Sequence, residues 1–188
     1  MSEPNSPEAP APMPGDLSAA QRLARLLRVD QAGEYGAVRI YQGQRAVLGS
    51  RPGCAELLRH MEEQERHHLQ TFNRMVGERR VRPTLLQPLW HLAGFALGAG
   101  TALLGEKAAM ACTVAVEEVI EQHYAGQAAQ LDDGEAELLR TVEQFRAEEM
   151  EHRDIGLAHG AEQAPGYPLL SAAIKTGSKL AIWLSERI

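Results

Sequence analysis

The chain has few of the residues that mark several common protein classes. Its only two cysteines, Cys54 and Cys112, form no Cys-x-x-Cys pair. This argues against a disulfide framework or a zinc knuckle and predicts two buried thiols in a reducing compartment. Aromatic residues make up 5% of the chain and β-branched runs are nearly absent, so a β-rich fold is not expected. The net charge of −6 argues against a nucleic-acid-binding surface. No Gly-x-Gly-x-x-Gly motif indicates a nucleotide-binding strand–helix unit.

The N-terminal segment lacks both a core and a targeting signal. Residues 1–15 contain five of the ten prolines. They have neither the basic start and apolar run of a secretion signal nor the arginines of a transit peptide. We predict a disordered tail over residues 1–15 and a single domain over residues 16–188. The absence of a targeting segment predicts a protein that acts where it is made, most simply in a bacterial cytoplasm.

Alanine, leucine and glutamate are abundant, and this composition favours helices. Apolar periodicity and turn residues predict an all-α protein. The predicted helices cover about residues 17–48, 54–76, 106–131, 135–159 and 168–188. The first four form two hairpins joined by a long connection. We therefore predict a four-helix bundle with two additional helical segments, the connection and the amphipathic C-terminal helix.

The motif Glu-x-x-His occurs twice, as Glu65/His68 and as Glu149/His152. On a helix, residues i and i+3 lie on one face, so each pair can direct a carboxylate and an imidazole to the same point. A single match is expected by chance and would carry little weight. The two matches gain weight because they occupy corresponding helices of the two hairpins.

A further glutamate precedes each motif at nearly the same distance. Glu34 lies 31 residues before Glu65, and Glu117 lies 32 residues before Glu149. Across one hairpin, each glutamate returns level with its motif to within about one turn. Four carboxylates and two imidazoles are typical of a dinuclear iron or manganese site in a helical bundle. The predicted metal ligands are Glu34, Glu65, His68, Glu117, Glu149 and His152.

Neighbouring acids and histidines compete for these positions. Repeat spacing does not separate Glu117 from Glu118; we favour Glu117 because it follows an apolar run and shares a helix face with Tyr124. The motif pairs are preferred because they alone repeat one spacing in both hairpins. Their competitors are Glu62, Glu63, His67 and Glu148.

Four further polar residues are candidates for supporting roles. A metal-bound imidazole usually donates its outer N–H to an acceptor, and Asp30 and Asp154 are candidate acceptors by their position along the chain. His123 and Tyr124 are candidates for relaying protons or electrons. Surface positions for the aspartates and plain packing for the other two are the alternatives.

The connection between the hairpins contains 23 residues without a charged side chain, residues 83–105. This length permits a membrane span of about 20 residues. However, Pro88 and several glycines interrupt it, and one span would separate the two halves of the ligand set. We predict a helix or helical hairpin that packs on the protein and dips into one leaflet; a fully buried segment and a true span are the alternatives. The preceding arginines suit anionic headgroups or form a solvated charge run: Arg79, Arg80 and Arg82.

Several longer segments are distinctive as sequence. They are RVDQAGEYGAVRIYQGQ (28–44), EQERHHL (63–69), RVRPTLLQPLWHLAGFALGAGTALLG (80–105), ACTVAVEE (111–118) and FRAEEMEHRDIGLAHGAEQAPGY (145–167). Together they resemble the demethoxyubiquinone hydroxylases of ubiquinone biosynthesis. The resemblance runs from about residue 20 to Ile188; at Trp183 some members of the family have tyrosine instead.

The resemblance implies a ferritin-like di-iron monooxygenase that hydroxylates demethoxyubiquinol, using dioxygen and two electrons. It implies two Fe²⁺ ions per chain, and it places the family's metal ligands on the six residues named above, which selects Glu117 over Glu118. NADH or the quinol itself is the candidate reductant.

The resemblance also implies a peripheral, membrane-interfacial protein, because the substrate is a lipid quinone. On a bacterial inner membrane it would lie at the cytoplasmic face. Candidate partners are other ubiquinone-biosynthesis proteins and further copies of the chain. Two other classes are alternatives: a ferritin-like protein that handles iron or reduces peroxide, and a membrane-associated interaction module.

Overall fold

The computed structural model describes residue 13, residues 15–131 and residues 133–188. These residues form α-helices and two short 3₁₀ turns, without a β-strand, which confirms the all-α prediction. The predicted tail lies outside the described residues, apart from Met13 and Gly15. The six α-helices are α1 Ala19–Leu48, α2 Cys54–Glu78, α3 Gln87–Leu103, α4 Glu106–Ala128, α5 Ala136–Ala158 and α6 Tyr167–Ser185.

Local sequence determines where several helices begin. Ser18 caps α1: its hydroxyl accepts a hydrogen bond from the Gln21 backbone N–H, and the Gln21 side chain accepts one from the Ser18 N–H. This reciprocal pair satisfies two backbone donors that would otherwise lack partners. Gly53 and Gly105 precede α2 and α4 with φ angles of 89° and 112°, where a side chain would be strained.

The helices pack as two hairpins covered by two further helices. α1 packs against α2 and α4 packs against α5, while α3 lies along α1 and α6 lies along α4. The backbones of α1 and α3 come very close: a Cβ at Gly98 would lie 1.9 Å from the carbonyl oxygen of Ile40. The apolar connection is therefore one helix lying against α1.

We call α3 and α6 the outer layer. The indole N–H of Trp90 on α3 donates to the Ser185 hydroxyl on α6 at 3.0 Å. Just before α3, the Thr84 hydroxyl donates to the backbone carbonyl of Ile188 at 3.0 Å. None of the helices among the described residues combines the length and apolar character needed to cross a membrane.

Two apolar clusters lie towards opposite ends of the hairpins. One contains Leu48, Leu58 and Met110, and the other contains Leu27 and Phe72. Glu34, Glu65, Glu117 and Glu149 lie part-way along their helices, between these two clusters. Both cysteines are buried and free, as predicted. Burial raises the pKa of the Cys54 thiol to about 11 and that of Cys112 to about 12, so both stay protonated at neutral pH.

Candidate metal centre

The structure brings all six predicted ligand residues together. Glu34 comes from α1, Glu117 from α4, and the two Glu-x-x-His pairs come from α2 and α5. No side chain in the set is more than 1% exposed: Glu34, Glu65, His68, Glu117, Glu149 and His152. Burying four acidic side chains within one bundle is costly unless they are neutralised by protons or cations.

Two of the glutamates face both imidazoles. Nδ1 of His68 lies 3.9 Å from Oε2 of Glu65 and 3.3 Å from Oε1 of Glu149. Nδ1 of His152 lies 3.0 Å from Oε1 of Glu65 and 3.3 Å from Oε2 of Glu149. Glu65 and Glu149 are therefore shared between two overlapping groups of potential ligands.

The other two glutamates, Glu34 and Glu117, each lie near only one of the two imidazoles. Oε2 of Glu34 lies 3.4 Å from Nδ1 of His68, and Oε1 of Glu117 lies 4.0 Å from Nδ1 of His152. Each group thus holds three carboxylates and one imidazole whose ligand atoms lie within 4.8 Å of one another. Such buried oxygen-rich groups could hold metal ions.

The inward-facing ligand atoms are arranged to bind a cation rather than to hydrogen-bond to one another. Eight buried atoms of the six side chains have no hydrogen-bond partner among the described residues: both oxygens of Glu65 and Glu149, one oxygen each of Glu34 and Glu117, and Nδ1 of both histidines. Unpartnered buried acceptors are rare and costly. The four carboxylate charges would balance two divalent cations.

Two tyrosines hydrogen-bond across the bundle to Glu34 and Glu117. Tyr41 lies seven residues after Glu34 on α1, and its hydroxyl donates to Glu117 on α4 at 2.8 Å. Tyr124 lies seven residues after Glu117, and its hydroxyl donates to Glu34. The two hairpins therefore exchange equivalent hydrogen bonds, which fixes one oxygen of each glutamate and leaves the other free to bind a cation.

The outer N–H groups of the two imidazoles find acceptors that sequence reasoning missed. Nε2–H of His68 donates to Oε2 of Glu148 at 2.6 Å, and Nε2–H of His152 donates to Oε1 of Gln64 at 2.9 Å. Each acceptor directly precedes a motif glutamate and reaches the imidazole of the other hairpin. Their equivalent place before the two motifs could have indicated this role from the sequence. Using it, however, requires knowing how the two hairpins face each other.

The predicted acceptors Asp30 and Asp154 make other contacts, so that assignment was wrong. Asp30 is buried and accepts hydrogen bonds from His123 at 3.2 Å and Gln127 at 2.8 Å. Asp154 is largely exposed and accepts from Arg153 at 2.6 Å. Asp154 lies two residues after His152 and therefore on another face of α5. Asp30 lies one turn before Glu34 on the inward face of α1, but its carboxylate meets α4 rather than an imidazole of the centre.

Apart from Glu148, which accepts from His68, the neighbouring acids point away from the centre into ion pairs. Glu118 pairs with Lys175 on α6, and Glu121 accepts from Arg146 at 2.6 Å. On α2, Glu62 is enclosed by two arginines at 2.5 and 2.6 Å, and Glu63 accepts from Arg59 at 2.9 Å. Helical phase thus turns Glu117, rather than its neighbour, inward.

Close packing perturbs the proton affinities of the cluster. Burial and then the charges of neighbouring carboxylates raise the pKa values of Glu65 and Glu117 well above their usual range. Burial alone would lower the pKa of His68, but the carboxylates of Glu149 and Glu34, 3.3 and 3.4 Å from its Nδ1, raise it to about 12. Burial alone would raise the pKa of Glu149, but the two imidazoles, whose Nδ1 atoms each lie 3.3 Å from one of its oxygens, lower it to about 2. Protons therefore balance part of the charge in the metal-free protein.

An apolar cavity of about 320 Å³ lies against the helices that carry Glu34 and Glu117. Its walls come from α1, α3, α4 and α6, and they include Gly33 and Val116, which directly precede Glu34 and Glu117 in the chain. A Cβ added at Gly33, Gly36 or Gly177 on the cavity wall would meet no atom within 4 Å. These glycines leave space that packing against other helices does not require.

The fold and the site define a class: helical bundles whose buried glutamates and histidines could hold metal ions. Within that class, residues 21–185 match the family model described as ubiquinone biosynthesis protein COQ7. The chain belongs to this family, which confirms the resemblance seen in its sequence.

Named relatives agree with the family match. Over 176 residues, 94% of this chain and 83% of the relative, the chain is 65% identical to a 3-demethoxyubiquinol 3-hydroxylase of Rhodospirillum rubrum. It is 55% identical to the human mitochondrial NADPH-dependent 3-demethoxyubiquinone 3-hydroxylase, over 87% of this chain and 77% of the relative. It is 46% identical to the Saccharomyces cerevisiae mitochondrial 5-demethoxyubiquinone hydroxylase, over 95% and 84%.

Proposed function

We propose that this chain is a di-iron monooxygenase that hydroxylates the ring of demethoxyubiquinol in ubiquinone biosynthesis. The observation that carries the proposal is a buried cluster of four glutamates and two histidines beside an apolar cavity. The chain is also 65% identical to a relative that is named for this reaction. We further propose that residues 16–188 form one ferritin-like domain.

The six clustered side chains hold two Fe²⁺ ions. Glu34 and His68 serve one ion, Glu117 and His152 serve the other, and Glu65 and Glu149 contribute to both. When bound, the iron pair supplies the redox chemistry that activates dioxygen. The protein fixes the ligands through the two tyrosines and keeps bulk water away, since none of the six side chains is accessible.

The reaction requires electrons from outside the protein. Hydroxylation places one oxygen atom on the ring and reduces the other to water, which consumes two electrons and two protons. NADH or the quinol substrate itself supplies the electrons.

The apolar cavity admits the ring of the substrate. Its walls contain alanines, glycines and branched aliphatic side chains, for example Ala32, Ile40 and Leu97, which suit a hydrophobic ring and the start of a polyprenyl tail. The backbone of Gly33 brings this space next to Glu34. A ring bound here would lie against the residues that directly precede Glu34 and Glu117.

The outer layer lies on a membrane surface, so the protein is peripheral. Large apolar side chains stand exposed on and around α3 and α6, a pattern typical of an interaction surface: Leu85, Leu89, Leu92, Leu103, Leu104, Leu169, Leu180, Trp183 and Ile188. Arg80 and Arg82 are exposed nearby and suit anionic lipids, whereas Arg79 is paired with Glu135. In a bacterial cell this surface faces the cytoplasmic leaflet of the inner membrane.

An iron-handling or peroxide-reducing protein would use the same ligands. Such a protein does not require an apolar cavity between the ligand-bearing helices and the outer layer, or an exposed apolar outer layer. These two features favour the hydroxylase.

The test is a product assay with labelled oxygen. Iron-loaded protein receives demethoxyubiquinol in vesicles, NADH and ¹⁸O₂, and the quinol is analysed by mass spectrometry. The proposal predicts a hydroxylated quinol carrying one ¹⁸O atom. Oxygen or peroxide consumption without a hydroxylated quinol would favour the iron-handling alternative instead.

A matched pair of variants tests the role of the cavity. Gly36→Leu places a side chain in the cavity, whereas Gly126→Leu places one at an exposed position on α4 where a Cβ also meets no atom within 4 Å. Gly36→Leu should reduce kcat/KM at least about tenfold without changing the iron content, and Gly126→Leu should leave both unchanged. Equal turnover in the two variants would remove the cavity from the proposal.

A further inference from the structure

The two imidazoles of the centre donate to chemically different groups. His68 donates to the carboxylate of Glu148 at 2.6 Å, and His152 donates to the amide oxygen of Gln64 at 2.9 Å. Glu148 is further held by Gln144, whose amide donates to its other oxygen at 2.9 Å. One acceptor carries a full negative charge and the other is neutral.

The carboxylates on the inner side of the two imidazoles are equivalent in kind. Each imidazole faces the shared Glu65 and Glu149 and one additional glutamate, and a tyrosine hydroxyl donates to that glutamate. The neighbouring rings differ, because Phe145 stacks on His68 at 3.9 Å whereas Tyr41 meets His152 edge-on at 6.0 Å. Neither Phe145 nor Tyr41 carries a formal charge, and the exposed His67 ring lies 6.4 Å from His68 without bonding to it. The acceptors are therefore the electrostatic difference in direct contact with the imidazoles.

We propose that the two metal positions are unequal, and that the one beside His68 binds a divalent cation more tightly because Glu148 is a positioning residue for that imidazole. The inference rests on the proposed function, since it takes the six clustered residues as metal ligands. A carboxylate that accepts the outer N–H orients the ring and increases the basicity of the inner nitrogen. A neutral amide oxygen does so less strongly, because its partial charge is smaller.

The proposal implies that the two bound cations would differ in electron density and in affinity. The cation beside His152 receives less electron density from its imidazole and is the more electron-poor of the pair. It is also the one that leaves first when metal is limiting. The centre is therefore asymmetric, although the ligands themselves repeat in the two hairpins.

Anaerobic titration of the metal-free full chain with Fe²⁺ tests the proposal, with the binding constants as readout. Wild type should show two steps separated by about tenfold or more. Glu148→Gln should weaken the tighter step about tenfold, and Gln64→Glu should strengthen the weaker step about tenfold. Each variant should then bind its two Fe²⁺ ions with nearly equal affinity. Both sites should be weak in Glu148→Gln and tight in Gln64→Glu. Glu151→Gln and Gln70→Glu make the same charge changes at exposed positions on the same two helices and should reproduce wild type.

The outcomes separate this inference from the proposed function. Two irons bound with equal affinity by wild type, or variants that keep the wild-type separation, would overturn the inference and leave the proposed function standing. A wild-type chain that binds no iron would overturn both. Circular dichroism establishes that each variant is folded, and Gln64→Glu still provides the test if Glu148→Gln does not fold.

Discussion

The inside of the two hairpins and the outer layer reverse the usual distribution of side chains. Between α1, α2, α4 and α5, four glutamates and two histidines are buried to 1% exposure or less. On the outer layer, Leu92 and Leu169 are 70% and 78% exposed. Most proteins bury apolar groups and pair or expose charged ones. Both regions therefore depend on something that the isolated chain does not provide.

The comparison shows what each region requires. The interior needs positive charge, because its eight inward atoms have no partner among the described residues. The outer layer exposes large apolar side chains, which an apolar surrounding would cover. In the proposed function, a cation pair would satisfy the first and a lipid surface the second, and the apolar cavity has walls from both α1 and α4 of the bundle and the outer layer. Violations of ordinary packing rules that lie next to one another in this way are expected at functional sites.

The largest effect is expected from removing one shared glutamate. Glu149→Ala deletes the carboxylate that faces both imidazoles, so we expect iron content to fall from about two per chain to near zero and turnover to be lost. The helices should persist, because the apolar clusters on either side are untouched. Metal analysis and circular dichroism measure the two results.

The matched control is Glu151→Ala, an exposed glutamate two residues further along α5. It should bind iron as wild type does. Normal iron content in Glu149→Ala would show that the interior charge serves another purpose.

Proton competition provides a second large effect. In the metal-free protein the pKa values of Glu65 and Glu117 are raised by burial and neighbouring charges. The folded chain therefore favours their protonated forms, and this contribution to its stability is lost as pH rises through the raised pKa values. Iron binding must displace these protons, so Fe²⁺ affinity should increase about tenfold or more per pH unit between about pH 6 and pH 8.

The measurement is the gain in Tm on adding Fe²⁺ at each pH. The gain should grow with pH, because the metal-free chain becomes less stable while metal binding strengthens. A gain that is constant, or that shrinks towards alkaline pH, would contradict the assignment of these carboxylates as ligands.

A single added charge tests whether the outer layer binds lipid. Leu92→Glu places a carboxylate on the exposed face of α3 and should weaken binding to vesicles containing anionic lipid about tenfold or more, since a leucine side chain contributes about 1.5–3 kcal/mol when buried. The Tm should hardly change, because Leu92 is 70% exposed. Sedimentation with vesicles measures the binding.

Leu157→Glu is the control, because Leu157 is exposed on α5 and lies outside the outer layer. It introduces the same charge and should sediment with vesicles as wild type does. Equal loss of binding in both variants would point to net charge rather than to the outer layer.

The smallest effects come from two glycines on neighbouring surfaces. Gly98→Ala would bring a Cβ to 1.9 Å from the Ile40 carbonyl oxygen and should destabilise the fold by about 1–3 kcal/mol through overpacking. Gly36→Ala meets no atom within 4 Å and should stabilise it by about 1 kcal/mol. Thermal unfolding should therefore shift in opposite directions, by about 2–4 °C per kcal/mol. A fall in Tm for both would mean that the cavity wall is packed more tightly than described.

Sequence patterns predicted most of the fold and the cluster because the relevant information is local. Helix ends follow from caps and turn residues such as Ser18, and the ligand positions follow from repeated spacing within each hairpin. The choice of Glu117 over Glu118 depends only on helical phase relative to one apolar run. The structure places all six of these side chains together.

Contacts between hairpins were beyond that reasoning. Gln64 and Glu148 reach imidazoles on the other hairpin, so their roles depend on the rotation of one hairpin against the other. The single helix formed by the apolar connection depends on close backbone contact at Gly98, which spacing alone does not reveal. Asp30 was misassigned for the same reason: its partners, His123 and Gln127, lie on α4.

Diffraction from iron-loaded crystals at the iron absorption edge tests the central claim most directly. The account predicts two anomalous peaks, one beside Nδ1 of His68 and one beside Nδ1 of His152, with Glu65 and Glu149 contacting both. Iron bound elsewhere, or a single ion that leaves Glu34 or Glu117 without a metal contact, would contradict it.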